Sequence, residues 1–296
     1  MNNAFASYHP IINFLYFTLV LALAMVLMHP VCLVISFGCA FVYSVYIVGQ
    51  RAIRFGLVFM LPMLIVTSLI NPAFQHEGAT ILTYLPSGNP LTLESIWYGV
   101  AASGMLLGVI TWFSCFNAVM TSDKFVYLFG RIIPALSLIL SMSLRLVPRF
   151  KAQIKVISNA QRCIGRDVSN GSLLTRAKHG IRILSVMVTW ALENAIETAD
   201  SMKSRGYGLP GRTAFSIFRF DRRDRAALVY LLVVGGYVVA GALLGGFYFR
   251  YYPTMKGSAI TPYTISLFAA QALLCLMPVI LNVREDLTWK AIQSKI

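Results

Sequence analysis

The sequence predicts an all-α integral membrane protein with about six transmembrane helices and a platform of cytoplasmic amphipathic coupling helices. Three observations carry this. Only 12% of the residues are charged and 57% are hydrophobic, where a soluble domain has about 25% charged. Six apolar runs punctuate the chain, at about 11–28, 31–48, 56–70, 95–118, 226–249 and 263–283. And 16 of the 25 Lys and Arg fall within residues 145–225 with 6 of the 11 acidic residues, so this one stretch carries +10 of the net +14.

Most of the runs are long enough to cross about 30 Å of hydrocarbon at about 1.5 Å per residue. The third is short and either tilts less or extends into its flanks. Residues 1–10 contain no Lys or Arg, so the first run reads as a retained span rather than a cleaved signal. Pro30 separates it from the second, because proline cannot continue a helix interior. Arg51 and Arg54 mark the next connection as cytoplasmic by the positive-inside rule. The N-terminus is then inside, and residues 71–94, with Glu77 and Glu94 and no Lys or Arg, are outside. The fourth span returns near Asp123 and Lys124, the fifth leaves after Arg222, Arg223 and Arg225, and the sixth brings Arg284, Lys290 and Lys295 inside. The organisation expected is four spans in 1–122, a coupling-helix region in 123–222 and two spans in 223–296, with both termini cytoplasmic. Residues 125–147 break the alternation, since Arg131 and Pro134 interrupt them, and are expected to lie within the cytoplasmic leaflet. Gly104 with Gly108, and Gly241 with Gly245, have a spacing that lets helices approach closely.

Within the basic stretch, Pro148 suits a first helical turn and opens a helix over 148–168. Lys151, Lys155, Arg162 and Arg166 fall within about 60° on its wheel, opposite Phe150, Ile154, Ile157 and Ile164. Such a basic amphipathic helix suits anionic headgroups. A second helical pattern covers 172–190 and a third 189–205. In the third, Leu192, Ile196, Ala199 and Met202 form an apolar stripe beside Glu193, Glu197 and Asp200. An acidic stripe is repelled by an anionic membrane, so this helix is expected to meet protein. Gly206, Gly208 and Pro210 are stop signals. Arg205 at that end reads either as a cation complementing the helix dipole, about 0.3–1 kcal/mol, or as an exposed interface anchor; spacing alone favours the dipole.

Several function classes fall away. The basic charge lies between apolar spans, which argues against nucleic-acid binding. Cys32, Cys39, Cys115, Cys163 and Cys275 are scattered, without a C-x-x-C, so neither a disulfide framework nor a zinc site is indicated. The His76–Glu77 pair reads as solvated loop. A proton-driven secondary transporter needs ionisable groups in the membrane, yet the first 76 residues contain no Asp or Glu. A membrane enzyme needs clustered nucleophiles, carboxylates or histidines; His179 has no carboxylate on its face. These two classes are the alternatives to the reading below.

The segments "MSLRLVPRFKAQIKVISNAQRCIG" (142–165) and "ADSMKSRGYGLPGRT" (199–213) resemble the transmembrane T component of energy-coupling factor (ECF) transporters, the EcfT/CbiQ family. "INPAFQHEGATILTYL", "LTLESIWYG", Thr121-Ser122-Asp123 and the Arg131-to-Pro134 spacing are similar to it too, so the likeness runs from about 69 to 215. The resemblance implies a non-catalytic subunit in a prokaryotic cell membrane that couples two ABC ATPases to a substrate-binding S component carrying a vitamin or metal ion. The chain has no G-x-x-x-x-G-K-S/T loop, and the resemblance implies no cofactor of its own, ATP being bound by the partner ATPases. Short X-Arg-X motifs near the ends of two coupling helices are implied to dock into the ATPases. Ser204-Arg205-Gly206 matches the second. In the first, the family arginine position holds Ile164, next to Gly165 and flanked by Arg162 and Arg166. These arginines substitute only if Gly165 breaks the helix; the alternatives are that one ATPase is bound mainly by Arg205 or that the groove facing Ile164 is apolar.

Overall fold

Long helices dominate the computed structural model, which describes residues 3–84, 90–130, 134–207, 209 and 218–293, with the backbone alone for 134–138. The chain divides into two units, residues 1–124 with 218–296 and residues 125–217.

In the first unit, helices α1 (Pro10–Val26) and α2 (Pro30–Val48) each begin with proline at the first turn, where its missing N–H is no loss. His9 and His29 cap them, each ring nitrogen accepting the amide two residues on at 3.3 Å. The third apolar segment extends into both flanks, as α3 (Gln50–Phe55), a π turn (Gly56–Met60) and α4 (Leu61–Phe74). Helices α5 (Leu93–Val119), α9 (Arg222–Leu243) and α10 (Pro262–Gln293) complete the set. Five of these segments are long and apolar enough to cross a membrane, and α1 is a shorter apolar helix of 17 residues, or about 26 Å.

Helix α5 is flanked by α2 and α4, α10 packs on α2 and α9, and α1 lies against α5 and α9. The core is aromatic: Phe5, Tyr16, Phe17, Tyr43 and Trp112 are completely buried. Their polar atoms are satisfied, as burial demands. The Trp112 indole donates to Ser36 Oγ at 3.1 Å, and the Tyr16 hydroxyl to the Cys275 carbonyl at 3.1 Å.

Contacts sort the helix ends. The N-terminal segment is held by Asn282, whose Oδ1 accepts from Phe5 N at 3.1 Å, and by Asp224, whose Oδ1 accepts from His9 N at 3.0 Å. Lys124 Nζ donates to the Ala6 carbonyl at 2.6 Å and the Val119 carbonyl at 2.9 Å, and Tyr46 bonds Asp286. The start of α1, the ends of α2, α5 and α10 and the start of α9 therefore meet at one end. At the other, the His29 ring meets Phe249 and Phe268, Tyr251 donates to the Met28 carbonyl, and Ala79 N donates to the Pro253 carbonyl. A small hairpin, β1 (Ile81–Tyr84) with β2 (Pro90–Thr92), leads into α5 there. Arg51, Arg54, Lys124, Arg222, Arg223, Arg225, Arg284 and Lys290 all belong to the first, basic end; Lys295 lies outside the described residues. Of the paired glycines, Gly241 lies against Leu267, Gly104 and Gly108 face open space, and Gly245 ends α9 instead of packing within it.

The second unit corrects two expectations, at Pro148 and within 172–205. Residues 122–130 form α6 (Ser122–Gly130), and Arg131 lies outside the described residues. Pro148 does not start a helix: α7 runs unbroken from Pro134 to Cys163 with Pro148 inside it. The apolar run before Pro148 and the amphipathic pattern after it are both helical, so the proline only deprives the Leu144 carbonyl of its partner. The patterns at 172–190 and 189–205 are one helix, α8 (Leu173–Ser204), because nothing between them stops a helix.

Candidate docking tips at two helix ends

Helices α7 and α8 form a hairpin joined by residues 164–172. They touch through a small cluster of Ile157 with Ile183 and Met187, with Phe150 and Trp190 packed against it. The Phe150 and Trp190 rings meet edge to face at 5.7 Å, and the Arg149 guanidinium lies 5.6 Å over Trp190. Since 150 pairs with 190 and 157 with 183 and 187, the helices run antiparallel through the contact. The connection is tied by Arg176 Nε, which donates to the Val168 carbonyl at 2.8 Å, and by Ser172, which caps α8.

Both helices end in the same way. In α8, Gly206 has φ +77°, Gly206 N donates to the Lys203 carbonyl at 2.9 Å and Tyr207 N to the Met202 carbonyl at 3.0 Å. In α7, Gly165 has φ +77°, Gly165 N donates to the Arg162 carbonyl at 3.0 Å and Arg166 N to the Gln161 carbonyl at 2.9 Å. This pair of reversed bonds around a left-handed glycine is the Schellman termination. It places Arg205 and Ile164 at the same position, the last residue before the glycine. Gly165 thus does break its helix, as Gly206 does; Gly208 and Pro210 lie outside the described residues.

The two tips share a backbone and differ in chemistry. Ser204 ends α8, its hydroxyl donating to the Ser201 carbonyl at 2.9 Å, and Arg205 is exposed with no carboxylate within 4.0 Å among the described residues. At the first tip Ile164 is 60% exposed. Arg162 is turned away to Asp167, with Nε–Oδ2 at 3.3 Å, and Arg166 is half-buried. Asp167 also accepts from Ser169 Oγ at 2.6 Å and Ser169 N at 3.0 Å. These bonds from Ser169, with the nearby Arg162, hold its carboxyl below the usual carboxylate range. Asp167, Ser169 and Arg176 were not singled out from sequence; an acid five residues after a basic one signals a pair only once the glycine turn is known.

The remaining surface is apolar where a lone helix pair would be polar. On α8, Ile181, Leu184, Leu192 and Ile196 are each more than 60% exposed, and on α7 Val156 is 60% exposed. Glu193, Glu197 and Asp200 are exposed alongside. Among the described residues, no three His, Cys, Asp or Glu side chains come together as a metal site requires.

Fold and tips define a polytopic α-helical membrane protein that carries an amphipathic helical hairpin with two like-built ends. Its sequence matches the CbiQ family, described as cobalt transport protein, over residues 7–215. The chain belongs to that family. Similar proteins include three energy-coupling factor transporter transmembrane proteins EcfT. That of Lactobacillus helveticus is 36% identical over 102 residues, 34% of this chain and 37% of that protein. That of Bacillus selenitireducens is 27% identical over 219 residues, 69% of this chain and 76% of its own length. That of Listeria innocua is 27% identical over 222 residues, 68% and 82% respectively. The chain is a membrane component of the transporter class, with the apolar helices of a multi-pass protein.

Proposed function

We propose that the chain is the coupling subunit of an ECF-type importer. In this reading two ABC ATPases grip the ends of α7 and α8, and their ATP-driven closure moves the hairpin. The motion passes to a small membrane S component that carries a vitamin or metal ion. The basic end of the bundle and both termini face the cytoplasm, by the charge bias. The observation that carries the reading is the shared termination: two helix tips with the same glycine turn and the same pair of reversed bonds, each presenting an exposed side chain immediately before the glycine. Arg205 anchors one ATPase through charge-assisted bonds to acidic or carbonyl groups. Ile164 fills an apolar site on the other, because Arg162 is occupied by Asp167. The exposed apolar faces of α8 and of α4, where Leu69 and Phe74 are 66% and 82% exposed, supply contact area for the S component.

Arg205→Glu, reconstituted with its ATPases and S component in vesicles, is expected to weaken assembly or to uncouple ATP hydrolysis from uptake. Wild-type assembly and coupled uptake in that variant refute the docking role.

A further inference from the structure

A groove of about 730 Å³ lies between α9 and α10 at the basic end of the bundle. Its size is that of a small-molecule site, roughly 300–1,000 Å³. The small side chains of Ala226 and Ala227 leave the space on α9, and Leu273, Met277 and Ile280 wall it on α10. Its rim is cationic and polar: Arg223 from α9, Arg284 and Thr288 from α10. The Arg223 guanidinium sits 5.8 Å from the centre of the Tyr8 ring, and Trp289 flanks the opening. Both arginines are exposed, and among the described residues neither has a carboxylate within 4.0 Å, although Glu285 borders the same groove.

A second groove, of about 530 Å³, adjoins the first through the shared Ala226 and Tyr230. It is headed by Arg225 and walled by Val229, Val233 and Val234. Tyr230 divides the two, its hydroxyl donating to the Leu273 carbonyl at 3.0 Å. The result is two apolar slots running along candidate spans, each headed by arginine.

We propose that this double groove is a binding site for an anionic diacyl phospholipid, its phosphate held between Arg223 and Arg284 and one acyl chain lying in each slot. Guanidinium matches phosphate oxygens in geometry and charge, basic pockets between transmembrane helices take anionic headgroups, and the Tyr8 and Trp289 rings are the amphipathic groups that settle at that depth. A water-soluble phosphate would use the arginines and leave both slots empty; a zwitterionic lipid would fill the slots and offer its phosphate to the arginines, but it brings a cation of its own against a rim that is already cationic. Apart from Tyr8, every residue of the site lies beyond residue 215, where the match to the family ends, so the site is a property of this chain's C-terminal helices.

The test is titration of the delipidated full chain in mild detergent with dioleoyl-phosphatidylglycerol, dioleoyl-phosphatidylcholine or inorganic phosphate, counting bound lipid by native mass spectrometry. One phosphatidylglycerol is expected to bind at least tenfold more tightly than phosphatidylcholine. Arg223→Gln with Arg284→Gln removes that preference, whereas Arg51→Gln with Arg54→Gln, the same charge lost elsewhere at the basic end, keeps it. Ala226→Trp, which fills both slots and leaves the arginines, lowers the affinity for both lipids and decides the matter if the arginine variant does not fold. Equal binding of the two lipids, an unchanged preference without Arg223 and Arg284, unchanged lipid affinity in Ala226→Trp, or displacement of lipid by phosphate at equal concentration overturns the proposal.

Discussion

Replacing Gly206 by alanine isolates the geometry of the second tip from its charge. The residue sits at φ +77°, where an L side chain costs about 1–2 kcal/mol. An added Cβ also meets Leu209 Cδ1 at 3.0 Å, whereas one added at Gly165, with the same φ, meets open space. Gly206→Ala therefore carries at least the full conformational cost and a contact that Leu209 must relieve; Gly165→Ala carries the conformational cost alone. Two backbone bonds depend on the turn, from Gly206 N and Tyr207 N. A loss of 1–2 kcal/mol corresponds to a factor of about 5–30 in the local equilibrium. Amide hydrogen exchange of the full chain reads this directly. In Gly206→Ala the Tyr207 amide is expected to lose about 5–30-fold protection, while amides around Ile183 and Met187, mid-helix at the hairpin contact, keep theirs. Arg205 then loses its fixed orientation without losing its charge, so ATPase binding falls as well. Wild-type protection at Tyr207 together with wild-type binding refutes the claim that the glycine turn orients the tip.

Ile164→Arg puts the same cation at the matching position of α7 and is expected to weaken binding of the ATPase that meets this tip, by about tenfold if its groove is apolar, read by surface-immobilised titration; tighter binding means the groove is acidic. Asp224→Ala removes a buried carboxylate that accepts from His9 N and Asp221 N, and costs about 1.5–3 kcal/mol, seen as a lower melting temperature in detergent. Burial pushes the Lys124 ammonium down to about 8, so the unfolded chain holds that proton more tightly and stability rises with pH from about 8 toward the ordinary lysine range, by roughly 3 kcal/mol. Thermal melts from pH 7 to 9.5 show this slope in the wild type and not in Lys124→Gln. Asp167 is held ionised by Ser169 and Arg162; its contribution is present above the ordinary carboxylate pKa and is lost as pH falls through its lowered value, so the protection of the Gly165 and Arg166 amides, taken relative to the intrinsic exchange rate at each pH, falls in acid, and Asp167→Asn shows the lower protection already at neutral pH.

The apolar runs were legible because bilayer thickness and helix rise leave little freedom: each run found from composition falls on a helical segment, with the ends of the first, second and fourth met within two residues, whereas α9 stops six residues before its expected end and α10 runs ten residues past its own. One proline misled and one did not. Pro30 does begin α2, but Pro148, which has the same look of a first turn, sits inside α7, because local chemistry at a proline does not reveal whether the residues before it are already helical. The division of α8 into two patterns failed for the converse reason: the stripe that faces α7 gives way to one exposed along the last turns, and a change of face resembles a break. The second tip was legible through Arg205-Gly206. The first was only half so, because Gly165 announces the turn, whereas the ion pair that removes Arg162 from it depends on the path of the loop to Asp167. The groove at α9 and α10 had no sequence signal, since alanines opposite leucines look like any span.

The coupling role is tested most directly by affinity purification of the tagged chain from its native membrane in mild detergent, with mass spectrometry of the associated proteins, run in parallel on wild type and Arg205→Glu. Two ABC ATPases and at least one small membrane protein in the wild-type sample, with one ATPase depleted from the variant, is the result expected. A folded wild-type chain that brings down no ATPase contradicts the account and returns Arg205 to a cation at the end of a helix dipole.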